Sequence, residues 1–304
     1  MQPEQSEDGD PLSGALSDFI GARPRLFGIA YRMLGSAADA EDIVQNVWMR
    51  WQGANRTAIR DATAFLVTTT TRLAINVAQS ARSRRESYIG PWLPEPVETS
   101  TDPRLGAERG EALELAVLVL LEKLSPRERA AYILREAFDY PYEEIAEILR
   151  LDEANVRKLV SRARAHVSEN RRAPVPMGEQ SRLLRAFIAA ARNGDLSELE
   201  SLLSPDVVSY SDGGGVVTAA RIPVTGRAKV AKFVAKATSN LWQGVRLEWM
   251  EVNGQEAVAI LHGDTLGGMA TIGASAEGID QIMWMMKPSK LSSISQFLRA
   301  SREA

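Results

Sequence analysis

The apolar positions of this chain change their period once. Through the first 170 residues they recur every three or four positions, the stripe of amphipathic helices. Leu16, Phe19, Ile20, Leu26, Phe27, Ala30, Tyr31 and Leu34 predict a first helix from about Leu12 to Leu34. Pro24 is expected to divide it or to open its second half, because proline removes a helical hydrogen bond. Gly35 ends that stretch, and Ser36 can cap a second helix reaching about Trp51. Ala40, Ile43, Val44, Val47, Trp48 and Trp51 form its apolar side. Asp39, Glu41 and Asp42 lie near its N-terminal end, where the helix dipole favours negative charge. After a polar loop from Gln52 to Arg60, Asp61 can cap a third helix running to about Tyr88. From Gly90 to about Pro103 the period vanishes and prolines punctuate the chain, so this segment reads as a linker.

A second helical block is expected from about Arg104 to Asn170, followed by a second linker, RRAPVPMG, at 171–178. Beyond it the pattern shifts. One helix is predicted over Gln180–Leu203 and a shorter one near Ala228–Asn240. Val245–Val252, Ala257–His262, Thr265–Ile272 and Gly278–Met286 then read as strands, rich in Val, Ile, Trp and Met and separated by Gly or Asn. A last short helix covers Leu291–Ala300. Helices followed by a run of strands imply an α+β unit. The expected division is an all-α domain at 12–88, a linker at 89–103, an all-α domain at 104–170, a linker at 171–178 and an α+β domain at 179–304.

Composition narrows the chemistry. The chain has 304 residues, enough for two to three domains of about 100–150 residues each. It has no cysteine, which excludes a disulfide scaffold, a thiolate zinc site and a cysteine nucleophile. No apolar run approaches the roughly 18 residues needed to span a bilayer, and the acidic N-terminal decapeptide is no signal peptide. A cytoplasmic protein with no membrane partner is the expectation.

Tyr142 to Val167 carries the most specific local pattern. YEEIAEILR is a short amphipathic helix with Ile145, Ala146, Ile148 and Leu149 inward. Leu151–Asp152 is a tight connection, and Glu153 to Val167 is a second helix with Val156, Leu159, Val160 and Ala163 inward. This is helix-turn-helix spacing. Asn155, Arg157, Lys158, Ser161, Arg162 and Arg164 are left outside, as phosphate and base-edge contacts in a major groove require. A helical hairpin with a solvated basic face has the same pattern.

Longer segments add a resemblance. PRERAAYILREAFDYPYEEIAEILRLDEANVRKLVSRARAHV resembles the promoter-reading fourth region of sigma-70-family factors of the extracytoplasmic-function (ECF) class. RLFGIAYRMLGSAADAEDIVQNVWMRW and FLVTTTTRLAINVAQSARSRRE resemble their second region. The resemblance implies a promoter-specific transcription initiation factor that binds core RNA polymerase, through the β′ coiled coil and β flap, and promoter DNA. It implies that Asp39, Asp42, Gln45 and Asn46 face polymerase. It assigns Arg56, Arg60, Arg72, Asn76, Arg82, Arg84 and Arg85 to the −10 element. Asn155, Arg157, Lys158, Ser161, Arg162 and Arg164 fall to the −35 element. No cofactor and no catalysis are needed, because polymerase does the chemistry and opening is stabilised by trapping unpaired bases.

The tail resembles a subgroup carrying a fused SnoaL-like domain, an α+β cone related to nuclear transport factor two. Its linker signature appears as Trp92, Leu93, Pro94, Glu95 and Pro96. A second signature appears as Asp212, Gly213, Gly214 and Gly215, without the basic residue that commonly follows, since Val216 stands there. A third is altered to KPSKL, ending in Lys290 and Leu291. The resemblance implies control in cis, with the tail in place of a separate anti-sigma factor. Gly213–Gly215 is expected to form a tight turn or to bring backbone close to the linker. Two other functions stay open. One is a DNA-binding regulator whose tail senses a small molecule in a pocket lined by Trp242, Trp249, Met283 and Trp284. The other is an isomerase- or cyclase-type enzyme using Asp206, Asp212, His262 or Asp264 as an acid–base group in an apolar pocket.

The net charge of −3 argues against a basic coat. The whole deficit lies in residues 1–172, with 23 basic against 26 acidic side chains, and base concentrates on the second helix of the helix-turn-helix. Weak, salt-sensitive DNA binding by the free protein is the expectation.

Overall fold

The computed structural model describes residues 11–100 and 114–303. Three helices form the first module: α1 (Pro11–Leu34), α2 (Ala37–Gln52) and α3 (Ala62–Glu86), with a 3-10 turn at Arg56–Ala58. The apolar stripes meet in one core around Leu26, Ile29, Met33, Val47, Trp51 and Leu66. Pro24 does not divide α1, which is one unbroken helix. Ile20, four residues back, is exposed, so water can take the carbonyl that proline leaves unpaired.

The second module is α4 (Leu115–Leu121), α5 (Pro126–Glu136), α6 (Tyr142–Leu149) and α7 (Glu153–Asn170). Residues 101–113, which include the expected start of this block, lie outside the described residues. Ser125 and Glu128 close a capping box on α5. Between α6 and α7, Arg150 adopts φ +54° and Asp152 accepts the backbone N–H of Asn155 at 2.7 Å. Both modules and part of the tail share one continuous core.

The α+β unit begins with α8 (Met177–Asn193) and α9 (Leu196–Leu202). These replace the single helix expected over Gln180–Leu203. Gly194 leaves the helix at φ +67°, and Asp195 caps the new one by accepting the N–H of Glu198. Then come β1 (Leu203–Asp212), β2 (Val224–Thr225), α10 (Arg227–Leu241), β3 (Val245–Val252), β4 (Gln255–His262), β5 (Thr265–Ser275), β6 (Gly278–Met285), a 3-10 turn at Pro288–Leu291 and α11 (Ser292–Glu303). The sheet order is β2-β1-β6-β5-β4-β3, antiparallel except for β1 beside β6.

β1 and β2 were not among the expected strands. Beyond Leu203 and Val207, β1 buries Ser209 and Ser211 on one face and Asp212 on the other, so it shows no apolar alternation. Elsewhere the period of two sorts side chains cleanly. Val258 and Ile260 of β4, with Ile282 and Trp284 of β6, face α8, α9 and α10. Ala257, Ala259, Leu261, Met283 and Met285 face the opposite way, into the core shared with the helical modules and α11. Both linkers are tied to the sheet, Glu98 bridging Val252 and Pro174 bridging Ser275.

Candidate interdomain site and nucleic-acid-facing surfaces

The first linker is gripped from two sides. On the tail side, Asp212 is fully buried at the end of β1 and Lys290 is 5% exposed in the turn before α11. The Asp212 carboxylate accepts the Lys290 ammonium at 2.7 Å and the Leu93 N–H at 2.9 Å on one oxygen. The other oxygen accepts the Tyr88 hydroxyl at 2.6 Å. Lys290 also donates to the Leu93 carbonyl and lies 4.2 Å from the ring centre of Trp92, a cation–π contact. A buried ion pair needs such extra partners to offset desolvation of both charges. Burial and the neighbouring Asp212 push the Tyr88 pKa above its usual value, so its hydroxyl stays a donor.

Burial also pushes the Lys290 pKa down from 10.5 to about 8, against the pull of Asp212. A group depressed in the folded state contributes stability that is full above its unfolded value and is lost as pH falls through the folded one. The thermal stability of the protein relative to Lys290→Met is therefore expected to rise between pH 8 and 10.5. A flat difference across that range, measured by paired melting curves, contradicts this reading.

On the side of the first module, Glu95 completes the start of α2. Its carboxylate accepts the N–H groups of Ala37 at 2.7 Å and Ala38 at 3.3 Å and the Ser36 hydroxyl at 3.2 Å, while Ser36 accepts the N–H of Asp39. The free N–H groups of a helix start need such acceptors. The Glu95 N–H donates to Gly35, and its carbonyl accepts the Tyr31 hydroxyl at 2.5 Å. Gly35, at φ +62°, has no room for a side chain, since Trp92 would lie 2.7 Å from its Cβ.

Sequence reasoning missed Tyr31, Tyr88, Thr99, Glu251 and Asn253. Asn253–Gly254 reads only as a hairpin turn. Folded, Asn253 is 1% exposed at φ +53°, accepts the Val97 N–H at 3.0 Å and donates to the Tyr31 hydroxyl at 2.8 Å. Thr99 donates to Glu251 at 2.7 Å. The glycine run forms a tight turn in which Val216 and Val217 donate to Gly213. Gly214 and Gly215 press on Tyr88 and Ile89, ahead of WLPEP, and it is the Asp212 carboxylate that reaches the Leu93 N–H.

The nucleic-acid candidates are distributed over three faces. Asn155, Arg157, Lys158, Ser161, Arg162 and Arg164 are all exposed on α7, opposite buried Val156, Val160 and Ala163. Arg157 stacks on Tyr142, and Arg157, Arg162 and Arg164 pair with Glu153, Glu128 and Glu136. Asp42, Gln45 and Asn46 are exposed on α2, while Asp39 is half-buried beside Ser36. Arg60 and Asn76 are exposed, and Arg56 is half-buried with one guanidinium nitrogen buried and unpartnered. Arg72 is placed differently. It donates to the carbonyls of Ile148 at 2.9 Å and Glu147 at 3.1 Å, closing the C-terminal end of α6. The side chains of Arg82, Arg84 and Arg85 lie outside the described residues.

The acid–base candidates do not converge. His262 and Asp264 are exposed at the β4–β5 turn, Asp206 pairs with Arg172, and Asp212 is saturated by the linker. Trp242 and Trp284 line one cavity, whereas Met283 points to the opposite face of the sheet.

Comparison with known proteins places these parts. Residues 20–85 match the sigma-70 region 2 family and residues 114–167 the sigma-70 region 4 family. The ECF RNA polymerase sigma factor SigJ of Mycobacterium tuberculosis is 40% identical over 227 residues, covering 72% of each chain. This chain belongs to the ECF RNA polymerase sigma factors. The probable ECF sigma factor SigI of the same species is 33% identical over 287 residues, covering 93% of this chain and 95% of its own. The crystal structure of M. tuberculosis SigJ superposes with a TM-score of 0.74 at 32% identity, covering 91% of this chain and 98% of that one. As an ECF sigma factor the protein is a promoter-specific transcription initiation factor, partnered by core RNA polymerase and promoter DNA. It is not an enzyme. Among the described residues no helix is long and apolar enough to cross a membrane.

Proposed function

We propose that the C-terminal α+β domain controls initiation in cis, by setting whether the region 2 and region 4 modules are free to part and reach their promoter elements. The observation that carries this is the double grip on WLPEP. Asp212 and Lys290 hold Leu93 from the tail, and α2 holds Glu95 from region 2. An intramolecular contact of this kind acts at high effective concentration and needs no separate inhibitor. Asp39, Asp42, Gln45 and Asn46 are the polymerase-facing side chains of the helix whose start Glu95 completes. Asn155, Arg157, Lys158, Ser161, Arg162 and Arg164 read the −35 element, and Arg56, Arg60 and Asn76 contact the −10 element, joined by Arg82, Arg84 and Arg85 on phosphates. Arg72 has two exclusive partners in this reading: the end of α6 in the closed chain and DNA in the open complex.

Run-off transcription with core polymerase tests the proposal. Full-length protein, Asp212→Asn and a chain ending at Arg172 are compared on a promoter that the full-length protein uses. A several-fold difference in initiation between the first and the other two is expected. Equal rates from all three overturn control in cis. Loss of initiation only in Lys158→Ala, with folding intact, separately supports the −35 assignment.

A further inference from the structure

The tail contains a cavity of about 250 Å³ between α10 and the sheet, walled by Phe233, Val234, Trp242, Trp284 and Met286. Its remaining wall is Ser211 and Thr218–Ala220. The same four residues line a second cavity of about 210 Å³, whose far side is Ile89 and Gly90 of the linker. Ser211 of β1 and the segment Thr218–Ala220 therefore line both the aromatic hollow and the cavity beside the linker. Ser211 precedes Asp212, the residue that holds Tyr88 and Leu93.

We infer that the aromatic cavity is a binding site for a small apolar ring compound, and that its occupancy tightens the grip on the linker. Two observations set the ligand class. The walls are aromatic and aliphatic, which favours an apolar body. The volume, just under the usual range for drug-sized ligands, suits one or two rings. The direction of coupling follows from contacts. An unfilled apolar wall lacks neighbours on one side, and filling it supplies dispersion contacts to Ser211 and Ala219. That holds the end of β1, and with it Asp212, more firmly in place.

This inference deepens the proposed control in cis and rests on it for its consequence, but binding is measured without transcription. The full-length protein is titrated with p-cresol and with indole, and binding is read by calorimetry and by the melting temperature. Hydrogen exchange at the Leu93 amide reads the grip directly, because that N–H donates to Asp212. Saturable binding is expected, weakened at least tenfold by Val234→Trp, which fills the hollow. Ala219→Leu replaces it if that variant does not fold. Exchange at Leu93 is expected to slow at least threefold at saturation. No saturable binding of either compound, or equal affinity in a folded filled variant, overturns the site. Unchanged or faster exchange at Leu93 overturns the coupling. Either failure leaves the transcription comparison of full-length and truncated chains as an independent test of control in cis.

Discussion

Asp212→Ala is expected to cost about 3–5 kcal/mol of stability, the range for removing one partner of a buried ion pair. The loss is large because three donors depend on the same carboxylate. The Lys290 ammonium is left buried and uncompensated, and the Tyr88 hydroxyl and Leu93 N–H lose their acceptor. Leaving a buried polar group unsatisfied costs more than the net worth of its hydrogen bond. In a thermal melt the shift is on the order of 10 °C, given a few degrees per kcal/mol for domains of this size. Removing both charges in an Asp212→Ala, Lys290→Met double variant is expected to recover a substantial part, since the uncompensated ammonium is gone. A single variant that melts within about 2 °C of the wild type would rule out the clamp as an energetic feature. Hydrogen exchange should place the loss at 88–97 and in the turn that carries Lys290.

Arg129→Ala is expected to loosen region 4 from region 2. Arg129 is 4% exposed on α5 and binds two helix ends at once. Its Nε donates to the Leu121 carbonyl at 2.7 Å. One terminal nitrogen donates to the Met33 carbonyl of α1 at 2.7 Å and pairs with Glu122 at 2.6 Å. The last carbonyls of a helix have no partner within it, so one planar guanidinium serves two such ends. Truncation removes the donor to the Met33 carbonyl and the charge that pairs with mostly buried Glu122, a loss of about 3–5 kcal/mol by the same reasoning. Small-angle scattering is expected to show a larger radius of gyration, because this contact joins α1 of one module to α5 of the other. Arg129→Lys should rescue only partly, since an ammonium keeps the charge without the fork. An unchanged melt and an unchanged radius in Arg129→Ala would dismiss the contact as a tie between modules.

Much of the molecule was legible in the order of its residues. The helices of both sigma modules follow from apolar stripes, with caps at Ser36 and Asp61 in the first, because helix formation is local and its period is visible in one chain. The helix-turn-helix and the four later strands follow for the same reason. Pro24 misled, since an exposed helix face tolerates the loss of a hydrogen bond that a buried one does not. β1 was hidden because, beyond Leu203 and Val207, its buried residues include Ser209, Ser211 and Asp212, and a buried carboxylate only makes sense beside the partners that satisfy it.

The sequence by itself determined the local elements, the basic outer face of α7 and the family signatures, all of which depend on residues within a few turns of one another. Only the tertiary structure decided what those signatures do to each other. Asp212 lies 119 residues from Leu93 and Asn253 lies 222 from Tyr31. Arg72, expected at DNA, here closes the end of α6, 75 residues away. Such pairings are chosen by which buried charge or orphan helix end finds which partner once the layers pack. The spacing of residues along the chain holds no record of that choice.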